Sequence, residues 1–230
     1  MRQLNQTVLI AGILAGICAA FLTLGATAQS SMSFLLYAAS AMPVLVAGLG
    51  WGNAAAIVAV LSAGFLGALA VSPLFAVTIA IFTLIPAGWL SHLANLARPA
   101  AEIGGPEDLM AWYPLSGIVL HLCGLITVSV IILGTMIGYG PELVSQMVDL
   151  MMASVQASES TFKPDPTALS QTKSLLVLML PMIQGGLWVM LLFAAYYFAS
   201  RMVRSFGKGL RPREDIAAAL RMHRNAIFIF

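Results

Sequence analysis

The sequence predicts an all-α membrane protein: a six-span transmembrane helix bundle, with an amphipathic helix in one outer loop and a basic cytoplasmic tail. Three observations carry this. AVILMFWYC supply 60% of the 230 residues and DEKR only 9%, against about 45–50% and about 25% in soluble domains. From Gln3 to Ala97, 95 consecutive residues include no Asp, Glu, Lys or Arg. The apolar residues also fall into segments that reach the roughly 17–25 residues a spanning helix needs at 1.5 Å rise each. A water-soluble globule is excluded, and so is disorder, which needs a chain poor in apolar residues. Residues 1–199 form the membrane domain, with spans at about 7–28, 34–50, 54–71, 74–90, 115–137 and 175–199, and 200–230 form the tail.

Span one carries Ala11, Ala15 and Ala19 at four-residue spacing, repeated one position on by Gly12, Gly16 and Ala20. Residues four apart share a helix face, and small side chains let a second helix approach closely in lipid. Such a face serves either an internal contact with another span or docking of a different membrane subunit. Ala26-Thr27-Ala28 matches a signal-cleavage pattern, but the apolar stretch exceeds an ordinary h-region and a single Arg precedes it. The reading therefore keeps span one; cleavage would leave five spans.

Gln29-Ser30-Ser31, Gly50-Trp51-Gly52-Asn53 and Ser72-Pro73 are breaks with turn chemistry. Pro43, Pro86 and Pro181 lie inside spans two, four and six, where each removes a donor and tends to kink its helix. Pro114 starts span five. His121 lies about 9–10 Å into that span, with Gly117 and Gly124 on its face, so it is expected to point into the bundle. An ionisable group inside a span is a functional candidate; the plainer reading is a neutral ring bonded to a neighbouring carbonyl. Gln184, followed by Gly185-Gly186 in span six, poses the same choice between reading a polar ligand and bonding a helix. No span holds a carboxylate, which argues against a proton-driven pump. Cys18 and Cys123 read as two buried, reduced thiols, with neither a disulfide framework nor a metal site.

Between spans five and six, Pro141-Glu142 starts a helix. Leu143, Val144, Met147, Val148, Met151, Met152 and Val155 then form one apolar stripe, with Ser145, Gln146, Asp149 and Gln156 opposite. A methionine-rich stripe is adaptable, so this helix is either a mobile lid over an outward pocket or a fixed cap. Residues 158–171 read as a flexible connector.

Lys and Arg stay on the cytoplasmic side. Arg2, Arg98 and the seven basic residues from Arg201 to Arg224 place both termini inside a bacterial inner membrane. The tail alone carries 7 − 2 = +5, and the loop between spans five and six 2 − 4 = −2. The tail is expected on anionic headgroups and not on nucleic acid. A short basic helix from Pro212 to Arg224 ends in Asn225-Ala226-Ile227-Phe228-Ile229-Phe230, which either faces the membrane or is the stump of a longer chain. There is no P-loop, nucleotide-binding glycine fingerprint or metal-ligand helix motif, so the expectation is no enzyme and no cofactor.

The opening Gln3 to Gly16, the stretch Ala41-Met42-Pro43-Val44-Leu45-Val46-Ala47-Gly48-Leu49-Gly50-Trp51-Gly52, the stretch Leu84-Ile85-Pro86-Ala87-Gly88-Trp89-Leu90 and Gly209-Leu210-Arg211-Pro212 resemble the YybS-like family of uncharacterised bacterial membrane proteins. That family is distantly similar to the substrate-binding S components of energy-coupling-factor vitamin transporters. The resemblance implies a six-span bundle that docks on a transmembrane coupling subunit through an Ala-x-x-x-Ala face on span one, matched by Ala11, Ala15 and Ala19. It implies an ATPase behind that subunit, a small vitamin-like ligand, and further spans beyond residue 230. His121 and Gln184 are the expected substrate-binding residues. The rival expectation is a non-transporting scaffold in envelope or cell-shape assembly.

Overall fold

The computed structural model describes residues 5–28, 32–138, 141–158 and 165–212. The break at Gln29-Ser30-Ser31 and the tail helix and apolar end expected beyond Pro212 lie outside the described residues. The described residues are 84% helical, and among them six helices are long and apolar enough to cross a membrane: Gln6–Ala28, Ser33–Trp51, Asn53–Ala70, Pro73–Ala94, Leu115–Met136 and Thr167–Ser205.

Helix α1 (Gln6–Ala28) buries one stripe of mostly small residues, Val8, Gly12, Gly16, Ala19, Ala20, Thr23 and Ala26. Opposite it lies a matching stripe on α4 (Asn53–Ala70): Ala55, Ala56, Ala59, Ala63 and Gly67. A Cβ on Gly12 would come within 2.7 Å of Val58 Cβ, and one on Gly16 within 2.7 Å of the Ala59 carbonyl oxygen. The two backbones are therefore close enough that only hydrogen fits at those positions.

Two of the three span prolines break their helices, each one turn upstream. The second apolar segment divides at Ser40 into α2 (Ser33–Ala39) and α3 (Ala41–Trp51). The ring of Pro43 would meet the carbonyl of residue i−4, Ala39, which is where α2 stops. The fourth segment runs as α5 (Pro73–Ile79), a π-helical turn (Ala80–Leu84) and α6 (Ile85–Ala94). Widening the turn around residue 82 relieves the same clash with the ring of Pro86. Pro181 lies inside an unbroken helix, so the kink expected there does not divide it.

Gly52, at φ 94°, joins α3 to α4; its amide closes the end of α3 on Gly48 O while its own carbonyl receives Ala55 N. The Ser72 side chain caps α5, accepting from Phe75 N at 3.1 Å with Pro73 next. The connection after α6 is not an open loop. It forms a two-stranded antiparallel ribbon, β1 (Ala97–Pro99) and β2 (Met110–Trp112), with Arg98 paired to Ala111. The ribbon delivers the chain to α7 (Leu115–Leu133), which passes into a π-helical turn (Gly134–Gly138).

The chain divides into two compact units, 1–126 with 189–230, and 127–188. The second holds the later part of α7, α8 (Pro141–Ser158) and the first part of α9 (Pro166–Ser205). The amphipathic loop helix is present as α8. The 158–171 connector is corrected in part: α9 already begins at Pro166, because Asp165 Oδ1 accepts from Thr167 N at 3.1 Å and Pro166 fills the first helical position. The last span is thus nine residues longer at its start than expected and six longer at its end.

Candidate functional site

The site builds up from the hairpin of α4 with α5 and α6. An antiparallel hairpin brings the start of one helix beside the end of the next, here Asn53 beside His92. The Asn53 amide Nδ2 lies 2.7 Å from His92 Nδ1. From His92 a row of aromatic rings crosses to α7. The Trp89 ring centroid is 5.5 Å from His92 and 6.2 Å from His121, and His121 is 6.1 Å from Tyr113. Tyr113 Oη also sits 3.1 Å from His121 Nε2. The β-ribbon sets Tyr113 there, since its amide bonds Leu96 O at 3.0 Å.

Below this row, between α4 and α6, runs a groove of about 310 Å³. Ala56, Ile57, Val60 and Leu61 wall one side, Ile85, Gly88 and Trp89 the other, and Asn53 and His92 stand at its end. Ile57, Leu61, Ile85 and Trp89 are exposed on the outer surface of the helices. The groove therefore opens sideways, through apolar side chains. Its volume falls in the range of small-molecule sites, about 300–1,000 Å³, and so does its make-up of apolar walls with a few convergent polar groups.

His121 belongs to the first compact unit and Gln184 to the second. His121 is exposed, which corrects the expectation that it points into the bundle. Gly117 does make room beside it, but for the Tyr113 ring, 2.8 Å from where a Cβ would stand. A Cβ on Gly124 would meet nothing within 4 Å. Gln184 is half-buried, and Gly186 beside it faces open space. On α1, Ala19 is fully buried within the chain and Ala11 and Ala15 are half-buried. The innermost line of the helix is thus Gly12-Gly16-Ala20, one position on. Cys123 is half-buried, but Cys18 is exposed, which corrects its placement in the interior.

The second unit has its own polar contact. Lys173 Nζ on α9 lies 2.9 Å from Asp149 Oδ1 and donates to Ser145 Oγ at 2.8 Å. The hydrogen bond that Lys173 Nζ donates to Asp149 Oδ1, helped by the ammonium charge and by Ser145, holds the Asp149 carboxyl below the usual carboxylate range, against a smaller desolvation effect. The polar face of α8 is thus tethered to α9. Of the expected apolar stripe, Val144 and Val148 are buried, while Met147 and Met151 are exposed.

The sequence reading did not select Asn53, Trp89, His92 or Tyr113 as site residues. Comparison with protein-family models, curated proteins and solved structures found no match for this chain.

Proposed function

We propose that this chain is a multi-pass membrane protein that binds a small amphipathic molecule in the groove between α4 and α6. It would be an S-component-like subunit that leaves any energised step to a membrane coupling partner. The observation that carries this is the groove itself: about 310 Å³, apolar along its length, with Asn53 and His92 at one end. An apolar or ring-bearing body would lie along Ile57, Val60 and Ile85. A polar end would meet the His92 ring, and the exposed Trp89 ring would stack on it. Because the groove opens through exposed apolar side chains, its ligand arrives from the bilayer.

Orientation rests on the basic residues after α9. The α6–α7 connection holds Arg98 against Glu102, Glu107 and Asp108, 1 − 3 = −2. Like the α7–α9 connection, whose one basic residue is Lys163, it holds a single Lys or Arg and adds no contrast of its own. With the tail inside, the polar end of the groove would face the inner leaflet.

The test fills the groove. A Cβ at Gly88 would stand 3.5 Å from Val60 Cγ2, an ordinary contact, so Gly88→Phe can seat its ring in the groove without forcing the helices apart. Protein purified gently from native membranes is extracted, and its bound small molecules are profiled by mass spectrometry. A species enriched with the wild type and lost with a folded Gly88→Phe variant is the expected result. An identical profile for both refutes the groove. Co-purification of wall-synthesis proteins, with no enriched small molecule, would favour a scaffold.

A further inference from the structure

We infer that the α4–α6 groove takes an uncharged, ring-headed lipid: a quinone-type head on Trp89 with a prenyl tail along the groove. The inference rests on the groove reading above and names the class of its ligand. Every residue involved belongs to the first compact unit. Charge narrows the choice of head. Nine residues line the groove, and none of them is Lys, Arg, Asp or Glu. An ionised head would leave water for apolar walls with no fixed counter-charge to meet it, at a high desolvation cost. His92 is the one titratable group in the lining, and its partner is the neutral Asn53 amide, 2.7 Å away.

That pair also selects the oxygen of the head. A half-turn of the Asn53 side chain exchanges its amide nitrogen and oxygen, so it satisfies His92 Nδ1 as either acceptor or donor. The other ring nitrogen is left to donate or to accept. A quinone-type head uses both, because its oxygen is a carbonyl when oxidised and a hydroxyl when reduced. The ring of the head is read by Trp89. The His92 and His121 rings meet the indole tilted by 50° and 60°, at 5.5 and 6.2 Å. These contacts steady it without stacking over it, and Trp89 keeps 43% of its surface exposed for a second flat ring. Gly88, in the same wall and without a side chain, lets that ring lie close to α6. The tail follows from the opening. Ile57 and Leu61 are 56% and 66% exposed, so a branched chain passes along them and continues into the bilayer at any length. A compact water-soluble solute has no use for such an exit.

The experiment uses the full chain in nonionic detergent. Native mass spectrometry counts bound ligand during titration with decylubiquinone, laurate, dodecyltrimethylammonium and dodecanol. These pair similar tails with a quinone, an anionic, a cationic and a plain hydroxyl head. Decylubiquinone should bind tightest, and Gly88→Phe, which fills the groove, should abolish its binding. Ile57→Trp, at an exposed position in the α4 wall, takes its place if that variant does not fold. Trp89→Leu should erase the advantage over dodecanol, and His92→Phe should weaken decylubiquinone by about threefold to tenfold, the size of one neutral hydrogen bond. Reduction of the quinone with dithionite should change its affinity by less than about threefold, because His92 serves both forms; a larger change overturns the role of the Asn53–His92 pair. If any of the other three binds as tightly as decylubiquinone and is lost with Gly88→Phe, the quinone class is overturned and the groove stands. Binding that survives both Gly88→Phe and Ile57→Trp, or no binding of any of the four, overturns the groove reading itself.

Discussion

Gly16 offers a sharp measurement of the α1–α4 seam. Replacing it with Ala adds one methyl group where the Ala59 carbonyl oxygen would be 2.7 Å away and the Ser62 side chain overlaps. Ser62 can rotate, at the cost of its hydrogen bond to Val58 O at 2.7 Å. The carbonyl belongs to the backbone of α4 and cannot. Ordinary Cβ contacts begin near 3.4 Å, so the helices must part by 3.4 − 2.7 = 0.7 Å or the methyl must bear the overlap. Overpacking of this kind costs about 1–3 kcal/mol, whereas Gly to Ala in a helix returns roughly 0.5–1 kcal/mol. The net expectation is a loss of up to about 2.5 kcal/mol, read as a lower unfolding midpoint in detergent. Gly64→Ala is the control. Its Cβ would meet nothing within 4 Å, so it gains the propensity term alone and should be neutral or slightly stabilising. If Gly16→Ala matches Gly64→Ala, the helices are not in contact along this line and the seam is misassigned.

Gly48→Ala should destabilise in the same way, because its Cβ would lie 2.5 Å from Ser91 Cβ; adding Ser91→Gly should restore the midpoint, and a double-mutant cycle showing no coupling would refute the contact. The Asp149–Lys173 tether should depend on pH with a definite sign. The folded carboxyl titrates below its ordinary value, so its contribution is complete above the usual carboxylate range and is lost as pH falls through the lowered value. The stability gap between wild type and Asp149→Asn should therefore close on acidification from neutral pH, and a constant gap would show that the charge is not involved. Cys18 is exposed and Cys123 half-buried. In intact membranes a lipid-soluble maleimide should label Cys18 faster than Cys123, while a charged, impermeant thiol reagent should label neither; rapid labelling by the charged reagent would place these helices in water.

The helix pattern was legible because a long uncharged apolar run leaves the backbone few choices. A run such as Leu115 to Met136 must satisfy its own amides, so length and hydropathy suffice to locate it. The α1 seam was half legible. The small-residue spacing on span one was visible, but two stripes one residue apart, Ala11-Ala15-Ala19 and Gly12-Gly16-Ala20, cannot be ranked without the partner helix. The matching row Ala59-Ala63-Gly67 on span three was equally readable and would have chosen the glycine line. His121 was misjudged because neighbouring glycines were taken as a sign of packing against a second helix. Gly117 instead makes room for Tyr113, four residues back along the same chain. The β-ribbon that positions that ring is three pairs long and contains Pro99, too short and too irregular for a periodic signal.

The candidate site depends on where the chain changes direction more than on what lies inside the spans. Asn53 follows the Gly52 turn, His92 stands within the last turn of α6, and Tyr113 emerges from the ribbon. Each sits at an end, where backbone amides and polar side chains can meet water or headgroups without the penalty of the hydrocarbon core. The apolar groove between α4 and α6 runs away from these ends. A ligand that satisfies both regions has to be amphipathic, with its polar part held where Asn53 orients His92 and its apolar part lying against Ile57, Val60 and Ile85. A fully polar solute would leave the apolar walls of the groove unmatched and lose hydration along them. A pure hydrocarbon would leave Asn53 and His92 with nothing to recognise. The single polar mouth on an apolar groove thus narrows the ligand class more tightly than the groove's volume alone does.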